Sequence, residues 1–472
     1  MNTIYLLCVG GSGLRVLRAF TMLLGAGYDI PGYQIKPFII DPHLQSDDLN
    51  LTTGIISKYL DIHNPASKGF FKVKMSVDDL NSLNIISGDN KPNRSFSDFI
   101  GYTKLNSGNP EKDIVDVLYT YNNLNKSMDL GFKGSPNVGC IVFQESINSD
   151  WLRKNISNLA PEDKVILVGS LFGGTGASGL PAIAQAIKKM SAGIDLALIA
   201  LSPYFQLKRP DPNAENKDID SDTFDMKSLA ALNFYQDNHS FIDSFYLVGD
   251  NIKQSNNYEY DEIKQGNKAH FVELIAATAI KDFAIGKKEK WNMFYTDTLN
   301  PVMTYPDCRK CMDEVLKCLS NFYIMSKFLF LMREDKFYPV NVRGYRSIKF
   351  SSQENAARIG ALENFIYNPD HPAEDSFIRW LGELRDNQRS FNAVNTEDII
   401  SPTGQISQYR FKPKTPCRVY NGSTILNDKT MSDYFLAISK EFRNAMSSPD
   451  QTDPVTGFLN ICYSGIKMEN SK

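Results

Sequence analysis

The stretch "LFGGTGASGL" (171–180) sets Gly173, Gly174, Gly176 and Gly179 around Thr175 and Ser178, directly after the apolar run "KVILVGS". Glycine at such density suits a backbone that must visit positive φ or be approached closely by another group. A run of N–H groups just ahead of a helix N-terminus makes a site for an anion, and the helix dipole adds about half a positive charge there. No lysine follows the glycines, so this is not a Walker A loop, in which GK[ST] brings an ammonium to phosphate. Thr175 and Ser178 offer hydroxyls in its place. The remaining charge on a phosphate chain would have to be met by a metal that arrives with it.

Two further turns have the same character. In "LLCVGGSGLRVL", Gly10, Gly11, Ser12 and Gly13 follow the first apolar run. Alone, this turn invites the dinucleotide fingerprint GxGxxG, with Asp41 at the end of "FIID" placed for a ribose hydroxyl. The third glycine of that fingerprint, which permits tight helix–strand packing, is here Val16. An NAD(P)-dependent Rossmann oxidoreductase also leaves the other turns unexplained, and no catalytic His or Tyr-Lys pair presents itself. The last turn, "SGNPEKDIVDVL", holds Gly108 and Asn109 ahead of Pro110 and Glu111. Proline at a first helical position and an acid in the first turn are helix-start signals.

The elements that must position these turns are legible as well. "TIYLLCV", "IKPFIID", "NVGCIVFQ", "KVILVGS", "DLALIALSP" and "SFYLVGDN" read as buried strands. They alternate with helix-like stretches such as "LRVLRAFTMLL", "EKDIVDVLYTYNNL" and "LPAIAQAIKKM". The expected fold is α/β, a Rossmann-like, mostly parallel sheet with helices on both faces. Sites in such sheets lie beyond the carboxyl ends of the strands, where the glycine turns fall. Residues 267–284, "NKAHFVELIAATAIKDFA", read as a buried central helix, apolar on several faces. His270 sits at its entry, a usual place for a satisfied polar residue. Residues 205–227 read as a polar, acidic surface insertion or lid. Residues 312–333 read as a helix, and "YPVNVRGYRSIKF" as strand material in a second, smaller α+β domain. The division expected is 1–265, 266–290 and 291–472.

Composition narrows the partners. A net charge of −3 over 472 residues provides no basic field for nucleic acid. No apolar run approaches the ~20 residues of a membrane span. Seven cysteines make no disulfide framework in a chain of this length. Cys308, Cys311 and Cys318 read as residues of one helix rather than a zinc site, and a reducing cytoplasm fits this usage.

Taken together and in this order, the motifs resemble those of the tubulin/FtsZ superfamily. "FGGTGASG" looks like the signature GGGTG(S/T)G, "VGGSG" resembles the family's first phosphate loop, and "SGNPE" resembles its AGGNPE loop. The resemblance covers residues 1–285 and implies a guanine nucleotide, GTP or GDP, held with Mg²⁺ through the phosphates. It implies that Gly10, Gly11, Ser12 and Gly13 contact the α- and β-phosphates, and that Gly108 and Asn109 approach the γ-phosphate. Gly173, Gly174, Thr175, Gly176 and Ser178 would wrap the phosphates, with Asp41 near the second loop. Asn251 takes the place of the guanine-reading asparagine, and Phe271 that of a ring able to stack on the base; the plain reading of Phe271 is a core aromatic.

After its central helix the family carries NxDxxD, whose acids reach the next subunit's nucleotide. Here "NMFYTD" keeps Asn292 and Asp297, with Phe294 in the place of the first acid. Positioning of water supplies most of such catalysis, so Asp297 is the one candidate catalytic residue and hydrolysis is expected to be weak. The chain between "GNPE" and the signature is also longer than in FtsZ, as though "MDLGFKGSPNVGCIVFQESINSDWLRKN" were inserted. The leading expectation is a bacterial-type, tubulin-like protein that self-associates into filaments. The alternative is a non-polymerising adaptor that uses nucleotide as a structural ligand and acts with partner proteins.

Overall fold

The structure, a computed structural model, describes residues 1–43, 46–77, 95–127, 132, 134–147, 152, 154, 156, 159–208, 223–251, 254–257, 268–296, 305–333, 352–368, 374–387, 389–391, 431–446 and 453–471. The run "NTIYLLCV" forms β1 (Asn2–Val9) and passes without a spacer into α1 (Gly10–Gly25). β2 (Tyr33–Ile40), α2 (Asp47–Ile62), the single turn α3 (Phe96–Phe99), α4 (Pro110–Leu118) and the single turn α5 (Tyr121–Leu124) follow. Next come α6 (Pro136–Ile147), β3 (Lys164–Ser170), α7 (Gly174–Met190), β4 (Asp195–Leu201), β5 (Phe205–Lys208), α8 (Phe224–Asp237), β6 (Ser244–Asp250) and β7 (Gln254–Asn257). The chain continues through α9 (Phe271–Ile285), β8 (Trp291–Thr296), α10 (Tyr305–Arg333), α11 (Gln353–Ile366), α12 (Phe377–Arg385), α13 (Met431–Met446) and α14 (Pro454–Asn470).

Six of these strands form one sheet in the order β2-β1-β3-β4-β6-β8. Every pair in it is parallel. Asn2 pairs with Tyr33 and Val9 with Ile40, so β1 and β2 end level with each other. β3 is buried throughout, as a parallel strand covered on both faces should be. Alternate residues serve two cores. Leu6, Cys8, Ile166 and Val168 face α1, α2 and α9, whereas Leu7, Val9, Val165 and Leu167 face α6, α7 and α8. α10 to α14 add their apolar side chains to the first core. β5 and β7 form a separate parallel ribbon.

The α/β architecture matches the expectation, with one correction and two refinements. "NVGCIVFQ" is not a strand but most of α6, which packs on α7. Pro136 starts it, and Val138 and Val142, one helical turn apart, enter the second core. A short apolar run carries too little periodicity to separate strand from helix, and the proline was the deciding signal. "FQLK", at the head of the expected polar insertion, is β5; residues 209–222 lie outside the described residues. β8 follows the central helix yet joins the main sheet as its edge. The expected strand material at 338–350 lies outside the described residues.

Two glycines set the spacing of helix against sheet. A Cβ at Gly13 would lie 2.7 Å from the Val168 carbonyl oxygen and 2.8 Å from the carbonyl carbon of Cys8. One at Gly176 would lie 2.7 Å from the nitrogen of Ser170. We expect Gly13→Ala to cost about 1–3 kcal/mol, because rigid backbone cannot yield to the added methyl. Gly54 of α2 has nothing within 4 Å of a Cβ among the described residues. Gly54→Ala should therefore gain about 0.5–1 kcal/mol from helix propensity. Urea unfolding of the two variants checks the contrast, and equal effects would show that α1 is not held by this contact.

Candidate functional site

The sheet order creates a switch point. The chain leaves β1 outward to β2 and returns on the other side of β1 as β3. In open α/β sheets, ligand crevices lie beyond the carboxyl ends of the strands where the order reverses. α1 and α7 both begin there, one from each of the two adjacent strands. Side chains cap the N-termini of α2 (Ser46), α3 (Ser95), α5 (Thr120), α9 (His270), α11 (Ser352), α12 (Ser376) and α14 (Asp453). α1, α4 and α7, the helices that open at the three glycine turns, have no side-chain cap, and α8 shares that lack. First-turn N–H groups without an intrahelical acceptor need a partner from elsewhere.

The first and third turns touch. Gly10 has φ +72°, a backbone that side chains strain, and a Cβ there would lie 3.2 Å from Thr175 Cβ and 3.4 Å from the Gly176 nitrogen. Gly10, Gly13, Gly174, Thr175 and Gly176 are buried, while Gly11, Ser12 and Gly173 are partly open. The segment after the second strand adds acids. A Cβ on Gly11 would lie 3.5 Å from Asp48 Oδ2. Asp41, just past β2, is buried and accepts a 3.0 Å hydrogen bond from the His43 N–H. Burial pushes the Asp41 carboxyl up to about 7, the His43 N–H opposing and the Asp48 charge adding to the shift.

The remaining expected residues are spread wider. The Ser178 hydroxyl donates to the carbonyls of Gly174 (2.6 Å) and Thr175 (3.2 Å), so it is committed inside α7. Gly174 is bare for a packing reason, since a Cβ there would lie 2.8 Å from Phe132 Cβ. Gly108 (φ +92°) is exposed, with nothing within 4 Å of a Cβ among the described residues, and Asn109 is half-buried at the start of α4. Among the described residues, nothing comes within 4 Å of a Cβ at Gly108, in contrast to Gly10. Asn251 is exposed at the carboxyl end of β6. Phe271 is 4% exposed, with its ring 4.9 Å from that of Phe391. Asn292 lies on β8, where its amide donates to the Glu289 carbonyl; Asp297 lies outside the described residues.

Sequence reasoning missed the ionic layer under the site. Arg15, on the apolar α1, reaches Glu273 of α9 (2.5 Å) and Asp48 of α2 (3.2 Å). Burial works against its charge, but Glu273 and Asp48 outweigh that and hold the guanidinium protonated. Arg18, one turn on, bonds Asp375 and Glu383. Arg389 and Asp250 form a pair with neither side chain exposed. The signal available was "LRVLRAF", two arginines three apart in an otherwise apolar helix, which cannot be buried without carboxylate partners. His270 caps α9 through Nδ1 and forms a capping box with Glu273. Burial lowers its pKa to about 3, so it stays neutral.

No protein-family model matches the chain, and no curated protein matches it. Among solved structures it is similar to CetZ from Methanosaeta thermophila strain DSM 6194, at 13% identity and a TM-score of 0.30. That match covers 75% of this chain and 61% of the other. It is also similar to CetZ2 from Haloferax volcanii, a GTPγS-bound protofilament, at 15% identity and a TM-score of 0.29. There the match covers 61% of this chain and 59% of the other. The chain thus matches less than two thirds of the length of either. Among the described residues, no helix is long and apolar enough to cross a membrane.

Asp41 gives the site a pH signature. Its folded pKa of about 7 exceeds the ordinary value, so between the two the folded chain holds a proton that the unfolded chain has released. The stability this adds is full below about pH 4 and is lost as pH rises through about 7. Asp41→Asn stays neutral throughout, so its stability relative to wild type should rise between about pH 5 and about pH 8. Urea unfolding at both values checks it. A constant difference would mean that the carboxyl is ionised across the range.

Proposed function

We propose that this chain is a guanine-nucleotide-binding protein of the tubulin/FtsZ type. The observation that carries the reading is the meeting of two uncapped helix N-termini, α1 and α7, at the switch point, with the Gly10 backbone against Thr175 and Gly176. The N–H groups of Gly11, Ser12, Gly173 and Thr175 are the donors for the phosphates. The two helix dipoles supply positive potential that no lysine provides. Mg²⁺ would enter with the phosphates; the Asp48 carboxylate beside Gly11, and Asp41 once ionised, are hard oxygen donors suited to it. Asn251, exposed beyond β6, is the candidate reader of the base, since a carboxamide presents donor and acceptor together. Gly108 and Asn109 would come to the terminal phosphate from α4.

Self-association is supported by two sets of exposed apolar side chains, one on α4 and α5 and one on β8. Ile114, Val117, Leu118 and Tyr121 stand open on α4 and α5, among Glu111, Asp113 and Asp116. Trp291 and Met293 stand open on the edge strand β8, after Lys287, Lys288 and Lys290. Two different apolar patches flanked by opposite charge suit heterologous contacts between copies. Hydrolysis then rests on Asp297. The adaptor reading draws on Phe294, which stands where an acid would sit.

GTP with Mg²⁺ should raise the melting temperature. Ligand at a hundred times its Kd adds about 2.7 kcal/mol of stability. Gly11→Val is the informative variant, because among the described residues a Cβ at Gly11 meets only Asp48 Oδ2, at 3.5 Å, an ordinary contact. We expect it to abolish the shift while the ligand-free melting temperature stays within a few degrees; an undiminished shift would refute the site. Val117→Lys should abolish nucleotide-dependent pelleting without touching the shift. Sedimentation that persists in that variant would remove α4 from the contact.

A further inference from the structure

The two residues that the resemblance implies for the base, Asn251 just past β6 and Phe271 at the start of α9, come from different elements. Both are held by one short turn that follows α12, more than a hundred residues later in the chain. Arg389 of that turn makes a two-pronged pair with Asp250, the residue before Asn251, at 2.6 and 2.9 Å. Phe391 packs its ring 4.9 Å from that of Phe271. The backbone between these contacts is gripped as well. Ala269 donates its N–H to Glu383 (3.1 Å), and its carbonyl accepts from the Asn387 amide (2.9 Å). The turn has internal bonds of its own: Arg389 N–H to Asn387 Oδ1 at 3.0 Å, and Phe391 N–H to the Leu384 carbonyl at 2.9 Å.

A fully buried ion pair is weak evidence for stability, since desolvating both charges offsets most of their attraction. A bidentate arginine–carboxylate pair does fix geometry, because it locks the direction of both planes. We infer that the turn carrying Asn387, Arg389 and Phe391 is the base-selectivity element of this protein. It aims Asn251 through Asp250 and sets the depth of Phe271, while the glycine turns hold the phosphates through other residues. Arg389 and Phe391 are positioning residues, for they act through their neighbours. The inference rests on the nucleotide reading above.

The test compares GTP, ATP and inorganic tripolyphosphate, each with Mg²⁺, on the full chain. In wild type, tripolyphosphate reports the glycine turns alone, and the ratio of GTP to ATP affinity reports the base. Arg389→Lys keeps the charge and loses the fork; Phe391→Leu keeps the apolar volume and loses the ring. Each should lower the GTP-to-ATP ratio about tenfold, in line with coupling between residues in contact, with tripolyphosphate affinity unchanged. An unaltered ratio overturns the inference, and so does a parallel fall in tripolyphosphate affinity. Should either variant fail to fold, hydrogen exchange on wild type decides. Amides of the turn must gain more protection with GTP than with tripolyphosphate, and equal protection by both refutes the assignment. A wild type that binds none of the three ligands refutes the nucleotide reading itself, and this inference falls with it.

Discussion

Everything near the site depends on how closely α1 and α7 approach the strands they leave. Gly13 puts the α1 backbone against the carbonyl of Val168, and Gly176 puts the α7 backbone against Ser170. With a side chain at either place, the helix would stand off the sheet by the width of a methyl group or more. The two N-termini would then no longer converge on one crevice. The bare backbone that closes the packing is therefore what brings two helix N-termini without side-chain caps together, and the proposed anion site is a by-product of tight βα joints. The same contact explains why α1 and α7 lie on opposite faces of the sheet yet begin side by side: they leave neighbouring parallel strands whose ends are level.

The glycine turns, the parallel sheet and the buried central helix were legible in the sequence. A strand covered on both faces must be a continuous apolar run, and such runs are hard to mistake when they recur. What was not legible was which glycine serves the fold and which serves a ligand. Gly174 and Gly11 look alike in sequence, yet one is bare to admit Phe132 and the other faces open space next to Asp48. Both demands are for a missing Cβ, and only the third dimension separates them. Ser178 shows the same limit, since a hydroxyl in a phosphate-like motif can equally bond back into its own helix.

The ionic layer was hidden for a different reason. Arg18 and its partners Asp375 and Glu383 are separated by more than 350 positions, and nothing local marks which carboxylates among many will be buried. An isolated buried guanidinium is prohibitively costly, so each arginine on α1 obliges the fold to deliver acids from elsewhere. Arg15 obtains them from α2 and α9, Arg18 from the loop before α12 and from α12 itself. The later part of the chain is thus tied to the helix that begins at the first glycine turn.

That tie bears on how occupancy of the crevice would be felt at a distance. α1 is one rigid helix with the candidate phosphate donors at its first turn and Arg15 and Arg18 in the next two. A shift of its N-terminus toward an anion must move both guanidinium groups. Arg15 would carry the strain to Glu273, which also accepts from the Tyr204 hydroxyl at 3.0 Å, and so to the entry of the central helix. Arg18 would carry it to α12. Helix α1 thereby ties the strand ends at the switch point to the helices of the chain's second half through Arg15 and Arg18.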